Sequence, residues 1–361
     1  MGNANKVTLQ QKKSGLTDAN LLLIITIVVF FVMYASAMAF LGEGFLKAQT
    51  LFDMLNNNAA LIIVSCGMSL VMICGGIDIS VGGVVALVSM CSGIFIEYKG
   101  GNIYGALAVS IAIGLAFGIV QGYLVAYLNI QPFIVSLAGM FFAKGMTTIV
   151  SSDLESSTFN VMNEAFVKIK DIDIIIPFLG YTNKHGKYMD AHIEIGVIVA
   201  IVIVVLLFCV LRWSKLGRNF YAVGGNMQSA LMLGINVRRT KFLSHIMCSL
   251  LAGIGGFVYF LHIGSGSPSH ASGMEMNAIA SSIIGGTMLT GGVGNIIGTF
   301  FGVLSLSTIQ NIVSSLGLGE AWWTGITIAA MLCLFLVVQS IIMSRQKIML
   351  AVRNFFNRRK N

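Results

Sequence analysis

Charge is what this sequence has least of. Of its 361 residues, 10% are Asp, Glu, Lys or Arg, 56% are hydrophobic, and the mean hydropathy is +0.87. A soluble globular chain carries about 25% charged residues. So few charges cannot coat a soluble surface of this size, and the solvent is lipid. Cysteine is missing where it would signal crosslinks or metal. Cys66, Cys74, Cys91, Cys209, Cys248 and Cys333 all fall in or beside apolar runs, and none lies in the one long polar stretch. That excludes a disulfide framework or a zinc spacing and leaves small buried hydrophobes. No G-x-x-x-x-G-K-[ST] phosphate loop occurs. Asp78 and Lys144 are nearly the only charges inside the apolar runs, so no chain of acids suggests a proton relay. If this chain pumps a solute, a partner supplies the energy. The net charge of +8 does not mark a nucleic-acid binder either, because the basic residues cluster between apolar spans.

The apolar runs are Leu21 to Leu41, Ala59 to Cys74, Val81 to Ile96, Ile103 to Leu128, Pro132 to Val150, Ile193 to Leu211, Phe242 to Ile263, Met276 to Met288, Ile296 to Leu316 and Trp322 to Met343. Most are near the roughly 20 residues that a span needs. The two short ones, Ala59 to Cys74 and Met276 to Met288, run into glycine-rich breaks. The pattern predicts an all-α polytopic membrane protein of about ten helices, with an internal repeat and broken helices. A polar tail over 1–20 precedes a membrane domain over 21–343, and a basic tail over 344–361 follows it. Segment 212–241 holds Arg212, Lys215, Arg218, Arg238, Arg239 and Lys241 without an acid; the C-terminal tail is similar, with Arg345, Lys347, Arg353, Arg358, Arg359 and Lys360. Both are expected in the cytoplasm. In segment 151–194, Asp153, Glu155, Glu164, Asp171, Asp173, Asp190 and Glu194 outnumber Lys168, Lys170, Lys184 and Lys187, so it is expected outside. Ten spans with both termini inside satisfy these assignments.

The chain is organised around Gly75-Gly76-Ile77-Asp78-Ile79-Ser80-Val81-Gly82-Gly83 and its echo, Gly285-Gly286-Thr287-Met288-Leu289-Thr290-Gly291-Gly292. Gly costs about 1 kcal/mol against Ala in a helix interior. Breaks at membrane depth survive only where protein or a water-filled path covers the backbone. Two such breaks predict a parallel repeat of about four spans, two further spans between the copies, and a solute path at their interface. Asp78 has two readings. In one, Asp78, Ser80 and free backbone groups form a polar constriction for a hydroxyl-rich solute. In the other, Asp78 satisfies N–H groups at a helix start. Ser80 and Thr290 are candidate caps for the helices that follow. Lys144 is expected to snorkel outward, His245 and His262 to be core or interface residues, and Trp322-Trp323 to anchor at the interface. Gly114, Gly118 and Gly122, and Gly298 and Gly302, are spaced for close helix packing.

The basic segment carries a second signal. Gly225-Asn226 belongs to a turn, and Gln228 to Gly234, with Ala230 inside it, is a short helix closed by glycine. It suits docking into a groove on a soluble partner; the alternative is a connector held by anionic headgroups.

Several of these motifs, in this order, resemble the permease subunits of bacterial ribose/galactose-type ABC sugar importers: Gly75 through Gly82, Gln131-Pro132-Phe133-Ile134, Ala222-Val223-Gly224-Gly225-Asn226, and Gly285 through Gly294. The likeness runs from about Leu21 to Met343. The second glycine motif is similar to the galactofuranose-type branch, and the long 151–194 loop to galactoside permeases. The resemblance implies a protein of the bacterial inner membrane that is not itself an enzyme and holds no cofactor or metal. It implies a cytoplasmic ABC ATPase that binds ATP, an extracytoplasmic sugar-binding protein and a second permease subunit. Gln228 to Gly234 would then engage the ATPase, with Gln228 where an acid is usual and with Arg218, Arg238 and Arg239 nearby. Gly75, Gly76, Asp78, Ser80, Gly285, Gly286, Thr287 and Thr290 would line the path. Import of a nucleoside, and ion-coupled secondary transport, are the competing readings.

Overall fold

The computed structural model describes residues 4–154, 156–182, 188–318 and 320–358. Glu155, Lys184, Lys187, Arg359 and Lys360 lie outside the described residues, as do the side chains of both charged tails. In chain order the helices are α1 (Ala4–Leu41), α2 (Glu43–Leu46), α3 (Ala48–Ile73), α4 (Val81–Glu97), α5 (Ile103–Ala126), α6 (Pro132–Val150) and α7 (Glu164–Lys170), then α8 (Ile195–Trp213), α9 (Lys215–Gly225), α10 (Met227–Met232), α11 (Val237–Ile263), α12 (Met274–Ile284), α13 (Ile296–Ser315) and α14 (Ala321–Arg358). Four strands, β1 (Phe159–Asn160), β2 (Asp173–Thr182), β3 (Tyr188–Glu194) and β4 (Ser265–Gly266), lie at one end of the bundle.

Eight helices are long and apolar enough to cross a membrane: α1 over Leu21–Leu41, α3, α5, α6, α8, α11, α13, and α14 over Trp322–Ile341. With the shorter α4 and α12 they make the ten expected segments. Of the two runs expected to be short, Met276 to Met288 is short, as α12, but Ala59 to Cys74 belongs to a long helix, and the other short one is α4. α3 has 26 residues, while α4 has 17 and α12 has 11. α3 is long because the polar residues of its first turns have partners. Gln49 donates to Asp53 Oδ1 at 2.6 Å, Asn56 Oδ1 accepts from Glu194 N at 3.0 Å, and Asn58 donates to Ser307 Oγ at 3.0 Å. Paired in this way, they carry the helix beyond its apolar core.

α3 and α11 cross at the centre and run antiparallel. Gly67 faces Cys248 and Leu251, whereas Gly255 faces Ala60 and Val64. α4 packs on α11 as α12 packs on α3, and the pairs α4–α5, α4–α6 and α5–α6 match α12–α13, α12–α14 and α13–α14. The repeat is therefore α3–α6 with α11–α14, and its copies are inverted. This corrects the parallel repeat expected from the glycine echo. The two glycine motifs follow the first helix of one copy and the second helix of the other, so the echo marks a shared local device and not a repeat boundary.

The bundle has a basic face and an acidic face. At the basic face lie the turns between α3 and α4, α5 and α6, and α12 and α13, together with α9 and α10; Arg212, Lys215, Arg218, Arg238 and Arg239 are exposed there. The acidic face carries the 151–194 segment. Phe159 of β1 pairs with Gly266 of β4, β2 and β3 form an antiparallel hairpin, and the Phe166 and Phe260 rings lie 4.8 Å apart. Glu97 accepts from Met162 N and Asn163 N, and His262 Nδ1 meets Glu194 Oε2 at 2.7 Å. Trp322 and Trp323 stack at 4.6 Å, half-exposed.

In lipid, close backbone approach does the work that water exclusion does in a soluble core. A Cβ at Gly114 would lie 2.6 Å from Ser249 O, one at Gly118 2.8 Å from Ile246 Cα, and one at Gly122 3.0 Å from Phe242 O. This small-residue stripe seats α5 on α11, and Gly298 and Gly302 seat α13 on α12 in the same way. Gly118→Leu is expected to destabilise the detergent-solubilised protein by about 1–3 kcal/mol, read as a lower Tm. An unchanged Tm would contradict this packing.

Candidate functional site

Both glycine motifs are helix stops of one kind. α3 ends at Cys74, and Gly75 takes φ +87°; Gly75 N donates to Met72 O and Gly76 N to Val71 O. α12 ends at Gly285, and Gly286 also takes φ +87°; Gly286 N donates to Ile283 O and Thr287 N to Ser282 O. The left-handed residue and the paired bonds are those of a Schellman motif. Side chains from other helices also meet the carbonyls at the end of α12: Thr26 of α1 donates to Ile284 O at 2.8 Å, and Gln339 of α14 gives Ile283 O a second donor at 2.7 Å. These bonds make a helix end tolerable inside the bundle.

The two stops are drawn together by a third glycine pair. Gly292 N donates to Ile73 O at 2.9 Å. A Cβ at Gly224 would overlap Ile73 O and lie 2.7 Å from Gly292 N; one at Gly291 would lie 3.0 Å from Gly75 Cα. Tyr221 of α9 donates to Gly294 O at 2.8 Å. The basic segment thus touches both glycine motifs, backbone to backbone.

α10 follows at once. Asn226 caps it by accepting from Ser229 N at 2.9 Å, and Gly234 ends it at φ +75°. Ala230 is buried, while Met227, Leu231, Met232 and Leu233 are exposed; so are Gly225, Gln228, Arg218, Arg238 and Arg239. The outer surface is apolar within a basic surround.

Past the first stop, the chain turns back into the bundle through Ile77–Ile79. Asp78 is wholly buried. Its Oδ1 accepts from Ser80 N at 3.0 Å and Ser80 Oγ at 2.6 Å, and its Oδ2 accepts from Ser249 Oγ at 3.3 Å. Ser80 Oγ accepts in turn from Gln121 at 2.8 Å. Asp78 therefore fastens the α3–α4 link to α11 and, through Ser80, to α5. Ser80 occupies the N-cap position of α4 without making the side-chain cap bond. Thr290 is exposed at the basic face, and the cap of α13 is Asn295, which accepts from Ile297 N at 2.9 Å. Thr287 is buried and donates to Ser69 Oγ at 3.5 Å; Ser69 also lies 2.6 Å from Thr299 Oγ1, joining α3, α12 and α13. The expected path residues thus do not form one cluster: Asp78 and Ser80 lie inward, and the glycines lie at the basic face. Lys144 is half-buried, with no ion pair among the described residues. His245 is buried, and its Nδ1 lies 2.9 Å from Lys241 O.

The sequence reading missed Glu275, which sits beside an apolar run and looks like part of a polar link. α12 has 11 residues, a rise of about 16 Å, roughly half of a 30 Å hydrocarbon core. Its C-terminal end is at the basic face, so it begins near mid-depth. α4 ends at the acidic face and also begins inside the bundle. The two N-termini meet: a Cβ at Gly82 would overlap Glu275 Oε2 and lie 3.2 Å from Glu275 N. Glu275 is 6% exposed, and its Oε2 is buried without a hydrogen-bond partner among the described residues. Two short helices meeting N-terminus to N-terminus are a signal that their lengths, once known, make visible.

A family described as the permease component of branched-chain amino acid transport systems matches residues 50–336. The chain is similar to the fructose import permease protein FruG of Bifidobacterium longum (strain NCC 2705), with 33% identity over 341 residues, 94% of this chain and 97% of the relative. It is similar to the inner membrane ABC transporter permease protein YjfF of Escherichia coli (strain K12), with 33% identity covering 89% and 92%. It is also similar to the ribose import permease protein RbsC of the same strain, with 29% identity covering 78% and 82%. No solved structure matches it.

Two outcomes are expected from this geometry. Asp78→Ala strands Ser80 N and the Ser249 hydroxyl and is expected to cost about 2–3 kcal/mol, with Asp78→Asn, which keeps an acceptor, intermediate; equal Tm for all three proteins would contradict it. Gly224→Ala forces the glycine joint open and is expected to abolish solute uptake in a permease that still reaches the membrane. Normal uptake would show that the joint is dispensable.

Proposed function

The chain belongs to this family of transport-system permease components, and on that footing we propose that it is the transmembrane subunit of an ATP-driven importer that carries a monosaccharide across the bacterial inner membrane. It is a multi-pass transport subunit and not an enzyme. The family's description speaks of amino acids, but the relatives that cover most of this chain are named for fructose and ribose, which supports a sugar. The basic face is cytoplasmic in this reading, because exposed Lys and Arg are retained on that side, and both termini are assigned to the cytoplasm with it. The acidic face, with its hairpin and strand pair, receives a soluble sugar-binding protein.

The observation that carries the mechanism is the contact of Gly224 and Gly225 with Gly291 and Gly292, beside Ile73 and Gly75. α10 offers Met227, Leu231, Met232 and Leu233 to a groove on a separate ATPase subunit, ringed by Arg218, Arg238 and Arg239. A short apolar helix in a groove is a recurrent docking mode. When the ATPase closes on ATP, α9 and α10 move with it. The glycine joint has no side chain to yield, so the displacement passes to the end of α3 and to the 285–295 turn. Each copy of the inverted repeat then tilts against the other, and the path alternates between faces. A second permease subunit completes the path. ATP stays on the partner.

The test is uptake of D-ribose, D-fructose and D-galactose into liposomes containing the permease, its ATPase and its binding protein. Uptake is expected to require ATP, to persist when ion gradients are collapsed, and to be lost in Met232→Asp with the permease still inserted. Loss of uptake with the ion gradient at constant ATP would make it a secondary transporter. Uptake of nucleosides in place of sugars would move the substrate class.

A further inference from the structure

We propose that the Glu275 carboxylate and the first-turn N–H groups of α4 form a mid-membrane site for a hydroxyl of the transported solute, a neutral polyhydroxylated molecule. This rests on the importer reading above and adds where the solute is held. More than nine-tenths of Glu275 is buried, and its Oε2 has no hydrogen-bond partner among the described residues. The N-terminal ends of α12 and α4 favour a carboxylate here, but they do not replace the hydrogen bonds that Oε2 lacks. A buried carboxylate oxygen left without a donor is costly, which leaves it free for a donor that arrives. Beside it, Val81, Gly82 and Gly83 open α4 with no side-chain cap and with no partner for their N–H groups among the described residues.

The ligand class follows from these two halves. A hydroxyl donates its hydrogen to a carboxylate and accepts an N–H on its oxygen at the same time. A cation suits the carboxylate but is repelled by the positive end of α4. An anion suits the helix end but is repelled by Glu275. Gly82 leaves the ground open, since a Cβ there would occupy the place of Oε2.

Position supports the same assignment. The α11–α12 link runs from the acidic face, where Ser265 belongs to β4, down to Met274. Along it Ser269 and Ser272 are exposed, Met276 is 58% exposed and Asn277 is half-buried. The link between the acidic face and Glu275 therefore carries polar groups, Ser269, Ser272 and Asn277, that are not fully buried. Asp78, the other inward acid, already accepts hydrogen bonds from Ser80 and Ser249 and has less to offer.

The test uses the complete importer in liposomes and whichever of D-ribose, D-fructose and D-galactose it takes up. Glu275→Gln keeps the volume and removes the charge; uptake is expected to fall about tenfold at equal permease abundance. Among the monodeoxy analogues of that sugar, one is expected to be carried as poorly by the native importer as the sugar is by the variant, and no worse by the variant. A uniform tenfold drop across all analogues would mean that the carboxylate holds water or positions helices, and would overturn the site; so would unaltered uptake. Difference infrared spectra of the purified native permease supply a readout that needs no transport. Adding the sugar at high concentration is expected to shift a carboxylate stretch that Glu275→Gln abolishes, and the absence of such a band overturns the proposal. If the native importer carries none of the three sugars, the function reading fails first, and the infrared result with the same sugars still decides the site.

Discussion

The Gly292 N–H to Ile73 O bond holds together parts of the chain more than two hundred residues apart. Around it, Gly224 has no room for a Cβ, and Gly75 and Gly291 lie close enough for their backbones to touch. Backbone contact of this kind is stiff. There is no rotamer to absorb a displacement and no methyl to slide past, so the end of α3, the Gly291–Gly292 part of the α12–α13 turn and the basic segment are held as one piece. The inverted bundle above it is seated by the same economy of side chains, in the Gly114–Gly118–Gly122 stripe on α11 and in Gly298 and Gly302 on α12.

Much of this was legible in the sequence because it is written in residue types that have few other uses. Apolar runs gave ten membrane segments, and the asymmetry of Arg and Lys against Asp and Glu separated the two faces. Paired glycines announced two helix stops, and Asn226 with Gly234 bounded α10. What the sequence hid has physical causes. Polar residues at 49–58 made α3 look short, because pairing with Glu194 N and Ser307 across the bundle is invisible in one dimension. The glycine echo suggested a parallel repeat, since one C-terminal device serves any helix that ends at that face, whichever repeat it belongs to. Asp78 drew attention as a membrane carboxylate, but its lone pairs go to Ser80 and Ser249. Glu275 went unremarked, because only the shortness of α12 turns a residue beside a loop into one at mid-depth.

The two acids divide the labour of the membrane interior. Asp78 accepts three hydrogen bonds and ties α4 to α11. Glu275 is unsaturated and lies where α4 and α12 present their N-termini to each other. A fold that begins two helices inside the bundle has to account for the backbone groups it strands. Here the stops at the basic face are closed by Schellman bonds, Thr26 and Gln339, while the first turn of α4 has no side-chain cap. Rigidity at the joint and openness at the junction are complementary in the proposed mechanism, where the joint passes movement on and the junction meets the solute.

The most direct measurement is hydrogen exchange at the Gly292 amide in the assembled importer, followed with and without ATP turnover and compared with the Thr290 amide on the exposed side of the same turn. A stiff joint keeps Gly292 strongly protected in both conditions while Thr290 exchanges freely. Exchange at Gly292 as fast as at Thr290, at rest or during turnover, would mean that the three segments part from one another and that movement reaches the helices by another route.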